Sequence, residues 1–309
     1  WVCVDQVLFG PGVNYAGINL RLYNEDQRYN LNNVNLAGAD FSGANLYAQL
    51  ADADVSNVDF DGAFIDFDDS HRLDLTGASF VSARISRLSV TWGMFEGTSF
   101  ESAIFTGHLY IEQSVLEDVS FLNARFSAEP YLGRTSGSNV SFAGMRNPEQ
   151  WDGSISLRDV YFENADIENA SFVNAVVRFE GANAKLNGAD FSGAVLGSES
   201  QNRSSNFQNA DLSDANLSNA VLWGVNLVNT NLAGANMNGA DLTKADLTDT
   251  DVTGVDFSGA NLTEVNWFNA TCPNGQNSGL NLGTCCGWLN GAVNVTGCEA
   301  AAAADGADF

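Results

Sequence analysis

Positive charge is scarce in this chain. Thirteen lysines and arginines stand against 38 aspartates and glutamates in 309 residues, a formal net charge of −25. A protein that tracks nucleic-acid phosphates needs a basic stripe, so the balance argues against a nucleic-acid partner. It suits solubility, cations or a basic partner. Histidine is scarcer still: His71 and His108 lie far apart, and neither accompanies a nucleophile motif. Fragments such as GTS at 97–99 are by-products of a repeat and not a nucleophile elbow, so the chain reads as no enzyme. No stretch approaches the ~20 apolar residues a membrane helix requires. Proline occurs only four times, whereas 30 glycines fit a chain rich in turns. With 45% hydrophobic and 17% charged residues, the composition is that of a folding sequence and not a disordered acidic one.

What is present is a period. Stepping by five from Phe207 to Trp267 meets an apolar residue every time, including Leu212, Leu217, Leu222, Leu227, Leu232, Met237, Leu242, Leu247, Val252, Phe257 and Leu262. Two places before each stands a small or β-branched residue, such as Ala235, Ala240 and Ala245, and between them mostly Asn or Asp. Internal repeats of this kind take precedence over local patterns. Neither a helix, at 3.6 residues, nor a strand, at 2.0, repeats at five. A square coil does: each unit makes one short side and one corner, four units close a turn of about twenty residues, and turns stack at roughly 4.8 Å. The apolar residue and the small one before it face inward, and the Asn or Asp between them faces out.

The triplet is traceable from about residue 30 to 267, in looser form over 61–160. It is interrupted near 129–138 (EPYLGRTSGS), 147–154 (NPEQWDGS) and 197–205 (GSESQNRSS), which read as corner loops on one continuous fold. The organisation expected is a lead-in and first coil over 1–29, the repeat over 30–267, and a Cys-rich segment and tail over 268–309.

Units such as ADLTK, ADLTD and ANLSN resemble the pentapeptide-repeat family. The resemblance implies an all-β fold, a right-handed quadrilateral β-helix, with small disulfide-bearing terminal segments. The lead-in FGPGVNYAGINL (9–20) and the loop TCPNGQNSGLNLGTC (271–285) resemble the ends of secreted bacterial members, whose repeats are followed by a TCPDG-type loop. That resemblance implies a Cys272–Cys285 disulfide stapling the last turn.

Cysteine avoids the repeat. Cys3 stands at one end, and Cys272, Cys285, Cys286 and Cys298 crowd the other. Clustering in polar, Gly- and Asn-rich segments reads as disulfides in an oxidising compartment. Zinc is poorly served, with no Cys-x-x-Cys and no nearby His. Either Cys286 pairs with Cys298 and Cys3 is single, or Cys3 of one subunit joins Cys286 or Cys298 of the next. The chain opens on Trp1 and not Met, as after removal of a secretory signal or in an expression product.

Residues twenty apart should stack in outward columns: Asn206, Asn226, Asp246 and Asn266 in one; Asp211, Asn231 and Asp251 in another. Mixing Asn with Asp spaces out like charges. The sharpest acidic cluster is Asp66, Asp68 and Asp69, whose hard oxygens suit Ca²⁺, although a full site needs six or more. Tyr47 and Trp223 should face outward, and with Trp92 and Trp151 they suggest stacking on a surface glycan or burial in a subunit contact. The N-x-[S/T] matches arise from the repeat consensus and carry no separate message.

A β-helix exposes unpaired peptide groups at its first and last coils. Trp1, Val2 and Val4 lie in a strand-like apolar opening, and Ala307, Asp308 and Phe309 repeat the core triplet at the other end. These residues are expected to mediate head-to-tail self-assembly by strand addition. The function expected is that of an extracellular or cell-surface structural protein of bacterial origin: an acidic rigid rod, without cofactor unless Ca²⁺, that forms a filament or surface layer. The alternatives are a DNA-mimicking topoisomerase inhibitor or protector, and a carbohydrate-binding module.

Overall fold

The computed structural model describes residues 2–4, 7–20, 29–145, 159–199, 203–280, 283–289 and 296–297. The chain divides into two compact units, Trp1–Pro148 and Glu149–Phe309. The repeat expected as one domain over 30–267 is therefore shared between them, and the corner loop expected at 147–154 lies outside the described residues. Among the described residues there is no α-helix, and no helix is long and apolar enough to cross a membrane.

One five-residue step of the second unit shows why the period produces the coil. Ala220 and Leu222 are fully buried, with Val221 between them facing out. Leu222 N–H donates to the carbonyl of Asp241 at 2.7 Å, and Asp241 N–H donates to that of Ala220 at 2.9 Å. Gly224 N–H adds a third bond to Thr243 at 2.8 Å, and Val225 N–H closes the corner onto Leu222 at 3.2 Å. The corner is a turn whose third residue, Gly224, sits at φ +63°. L-residues other than Gly, Asn and Asp rarely adopt that conformation. The same place is taken by Asn229, Gly234, Gly239 and Asp249, and at some strain by Lys244 at φ 60°. The fifth residue of the repeat thus makes the corner, a constraint the inward pattern does not reveal.

Each unit carries its core in rows of stacked rings. In the first, Phe60, Phe80, Phe100 and Phe121 follow at centroid distances of 4.7, 4.8 and 4.8 Å. In the second, Phe162, Phe179 and Phe207 are each 4.8 Å apart. One aromatic per coil, repeated at the coil spacing, buries each ring against the next.

The loose stretch of the repeat has a structural cause. Strands β1 (Val2–Val4), β2 (Val7–Phe9), β3 (Asn19–Leu20), β4 (Tyr29–Asn30), β5 (Asn45–Gln49), β6 (Phe64–His71), β7 (Arg84–Thr91), β8 (Ile104–Glu112) and β9 (Arg125–Phe126) belong to the first unit, and β3–β9 form one parallel sheet. β6, β7 and β8 run eight or nine residues, the length of two sides. Between Gly62 and Arg72 no residue is left-handed, and the register shifts at Ile65/Asp66 and Phe67/Ser70. One tight corner is replaced by a bulged, continuous strand. A corner that is not made has no use for the Asn-Leu pairing, so the triplet fades there.

The interruption at 129–138 is not a loop outside the coil. Tyr131 bridges Tyr110, Ser136 bridges Val115, and Leu132 and Thr135 are buried. One extra residue per turn is absorbed while the ladder continues. At 197–205 a loop does form, where Gly197 and Ser198 pair antiparallel with Ser204 and Arg203.

Gly107 tests the bulged corner: a Cβ there would lie 2.0 Å from the Ser86 carbonyl oxygen. Gly107→Ala is expected to cost about 1–3 kcal/mol in denaturant unfolding, whereas Thr106→Ala at its exposed neighbour changes little. Equal midpoints for the two variants would contradict the close approach.

Candidate interaction surfaces

The outward columns form as the period requires. Asn206, Asn226, Asp246 and Asn266 bridge in succession, as do Asp211, Asn231 and Asp251. Their side chains are bonded to one another. Asn226 Nδ2 donates to Asn206 Oδ1 at 3.1 Å, Asn231 Nδ2 to Asp211 Oδ1 at 3.1 Å, and Asn266 Nδ2 to Asp246 Oδ1 at 3.0 Å. The same oxygens accept backbone N–H groups two residues on, as from Ser213 to Asp211 and Ala233 to Asn231. These groups therefore build corners as well as solvating the surface, an Asx-turn role that the preference of Asn and Asp for turns foreshadows.

The hydrogen bonds leave an electrostatic mark. Asp40 accepts from the backbone and hydroxyl of Ser42 at 2.9 and 2.7 Å, and these bonds hold its carboxyl below the ordinary 3.8. Ser258 does the same for Asp256. Such a group stabilises the fold above its unfolded value and loses that contribution as pH falls through the lower folded one.

Two further surfaces stand out in the first unit. At one corner Trp92 is 56% exposed beside Met94 and Val115, in a column that otherwise carries Asp54 and Asp74. Tyr110 and Tyr131 stack nearby at 4.8 Å, and the Tyr110 hydroxyl donates to Glu112, which pushes its pKa up to about 12. On the long sheet the outward positions read Phe64, Arg84, Ile104 and Arg125 in one column and Asp66, Arg87 and His108 in the next.

The acidic stretch at the start of that second column does not present three carboxylates. Asp66 is nearly buried and accepts from the Ser86 hydroxyl at 2.8 Å. The side chains of Asp68 and Asp69 lie outside the described residues, and the described residues contain no group of three His, Cys, Asp or Glu arranged for a metal. His71 bonds to Thr91. Of the aromatics expected on the surface, Tyr47 is half-buried and Trp92 exposed. Trp223 is half-buried too: its indole nitrogen has no partner among the described residues, its backbone lies against Gly197, and the Lys244 ammonium sits 5.5 Å from its ring. Trp151 lies outside the described residues.

At the amino end, β1 and β2 pair with each other, Val2 opposite Phe9 and Val4 opposite Val7. The strand expected to seek a neighbour has one edge filled by its own chain. The hairpin covers the first coil: Phe9 is buried 5.6 Å from the Tyr15 ring, and the Tyr15 hydroxyl donates to Leu8. The side chains of Val2, Cys3 and Val4 lie outside the described residues, as does Trp1.

At the carboxyl end, Cys272 and Cys285 are both buried and joined by a disulfide across 13 residues. Closing a loop of that size contributes about 3 kcal/mol in the chain-entropy account. The loop folds back on the last coil. Cys272 N–H bonds to Gln276, Ser278 N–H to Ala270, and the Ser278 hydroxyl to Trp267. Cys286 is also disulfide-bonded, to a partner beyond the described side chains. Cys298 and Ala307, Asp308 and Phe309 lie outside the described residues.

The terminal coil is thus covered on two sides by described residues and not bare. Thr296 pairs with Ala260 and Leu262 on one side, and residues 276–278 pair on another. On the two remaining sides Phe257, Gly259, Trp267 and Asn269 find no acceptor for their N–H groups among the described residues, although their counterparts one coil earlier all have one. Phe268, between Trp267 and Asn269, is 68% exposed, and Leu280 in the returning loop 74%. Interruption of a ladder is invisible in a repeat that continues through it.

Two variants probe the columns. Asn231→Asp would stack a third carboxylate between Asp211 and Asp251 and is expected to lower the unfolding midpoint, with the loss fading as ~0.5 M salt screens it. Ser42→Ala is expected to return the Asp40 pKa toward its ordinary value, read by carboxyl NMR titration, and to leave the protein less resistant to acid.

Comparison with known proteins agrees with the repeat. The family model described as "Pentapeptide repeats" matches in eight copies, over residues 30–64, 205–243 and 240–266. No curated protein matches. Among solved structures, HetL, a pentapeptide repeat protein involved in heterocyst differentiation regulation from the cyanobacterium Nostoc sp. strain PCC 7120, is 23% identical over 87% of this chain and 94% of its own, with a TM-score of 0.29. Full-length QnrB1, a plasmid-mediated fluoroquinolone resistance protein, is 21% identical over 63% of this chain and 84% of its own, with a TM-score of 0.28. A pentapeptide repeat protein of the Arabidopsis thaliana thylakoid lumen is 25% identical over 41% and 67%, at 0.24. Values this low add nothing to the architecture, which stands on the bridges between successive coils. The eight matched copies are pentapeptide repeats, and the coil there is built of the same five-residue units.

Proposed function

We propose that this protein is a non-enzymatic structural component of a bacterial exterior that assembles end to end through the last coil of its second unit. The single observation behind this reading is the pair of sides, Phe257–Gly259 and Trp267–Asn269, whose N–H groups find no acceptor among the described residues, with Phe268 and Leu280 exposed in the same unit. An edge with free donors and an apolar border accepts an added strand. The partner is a second copy, because a heterologous contact between different ends of identical chains extends without closing. The Cys272–Cys285 disulfide supports an oxidising, extracellular setting, since such bonds do not persist in a reducing cytosol.

Net charge opposes this contact. At −25 the copies repel, so association should strengthen with salt, the reverse of an electrostatic interface. Sedimentation and electron microscopy of the non-reduced protein are expected to show concentration-dependent oligomers that grow at higher ionic strength. Phe268→Glu combined with Leu280→Glu, both at exposed positions, should return them to monomers. A wild-type protein that stays monomeric at every concentration and salt sinks the proposal.

A further inference from the structure

The few cations of this chain are not evenly spread. Arg84 and Arg125 occupy one outward column of the long sheet in the first unit, separated by Ile104, and His108 stands in the adjacent column. Arg84, Arg125 and His108 are exposed, and neither arginine forms an ion pair among the described residues. Elsewhere in the second unit the pattern is the opposite: Arg178 is paired with Asp159 and Glu180, and Lys185 with Asp166. Beside these arginines Phe64 is 45% exposed, with the Arg84 guanidinium 5.8 Å from its ring centre. In a molecule with about three acidic groups for each basic one, two guanidiniums without an ion pair among the described residues stand in one outward column, with Asp66 and Arg87 opposite each other in the next.

We propose that the outward column of Phe64, Arg84, Ile104 and Arg125 binds a carboxylated polysaccharide of alternating charged and neutral sugars. Two features of the column favour that ligand. Arg84 and Arg125 lie two coils apart, about 10 Å at the sheet spacing, with an apolar step at Ile104 between them. That alternation suits a polymer charged at every second sugar and not one charged at every residue. Guanidiniums take carboxylates in a two-pronged geometry, and an exposed ring such as Phe64 packs against the apolar face of a pyranose. Duplex nucleic acid fits poorly, because its dense phosphates would meet the acidic columns of a chain whose net charge is −25. An anionic membrane surface calls for a larger basic cluster than this. The inference does not depend on end-to-end assembly, since the face and the last coil belong to different units.

Hyaluronate, an alternating uronate polymer, serves as the probe for the full-length, non-reduced protein, with dextran, duplex DNA and phosphatidylserine vesicles as comparisons. Titration calorimetry or fluorescence is expected to show hyaluronate binding that weakens about tenfold or more between ~0.05 and ~0.5 M salt, with no binding to dextran. Arg84→Glu combined with Arg125→Glu should abolish it, Arg84→Lys with Arg125→Lys should retain part of it, and Arg72→Glu with Arg134→Glu on another corner should leave it intact. Absence of hyaluronate binding, indifference to the Arg84/Arg125 reversal, or preference for DNA or vesicles would overturn the proposal.

Discussion

Everything in this protein depends on the coil-to-coil ladder of backbone hydrogen bonds. Each five-residue unit gives its neighbour one coil on a donor from the central apolar residue, a donor from the corner, and an acceptor from the small residue, as Leu222, Gly224 and Ala220 do. A coil that keeps this register must have a small residue at each convergence, a large apolar residue filling the axis, and a left-handed corner. Ala, Leu or Phe, and Gly or Asn are the residues that meet those demands at least cost. The ladder also imposes its spacing on whatever faces out, so surface chemistry arrives in columns.

Columns make neighbours of residues far apart in sequence, and that has two consequences. Where the column mixes Asn with Asp, amides bridge carboxylates and the oxygens turn inward to the corners, so a strongly acidic chain tolerates close stacking. Where the mixture changes, a distinct patch appears. Asp54 and Asp74 give way to Met94 and Val115, and Phe64 gives way to Arg84. A repeat therefore generates interaction surfaces by local substitution, with a bulged corner beside one of them. Their use is decided by side chains grafted on the coil and not by the coil itself.

Ends are governed by the same ladder. A side of the last coil that lacks a partner leaves peptide donors uncompensated, and the chain answers on two sides with its own returning segments, locked by Cys272–Cys285. At the other end the β1–β2 hairpin lies over Tyr15 and Phe9. The two sides at Phe257–Gly259 and Trp267–Asn269 are where the proposed assembly takes hold.

The five-residue period determined the inward residues, the four-sided β-helix, the columns at Asn206 and Asp211 and, through the resemblance of its terminal loop, the Cys272–Cys285 bond. These were legible because one residue type must recur at each axial position, and a recurrence survives in one dimension. The loose stretch over 61–160 was legible only as weakness. That one corner had become a bulged strand, that Gly107 must lie under Ser86, and that Trp92 is exposed beside Met94 and Val115 depend on contacts between coils about twenty residues apart. Likewise the cover on two sides of the last coil, and the lack of an ion pair at Arg84 and Arg125 among the described residues, are properties of neighbours. Tertiary structure alone decides them, because pairing energy belongs to groups brought together in space, and a linear pattern records which groups exist but not which of them are left without partners.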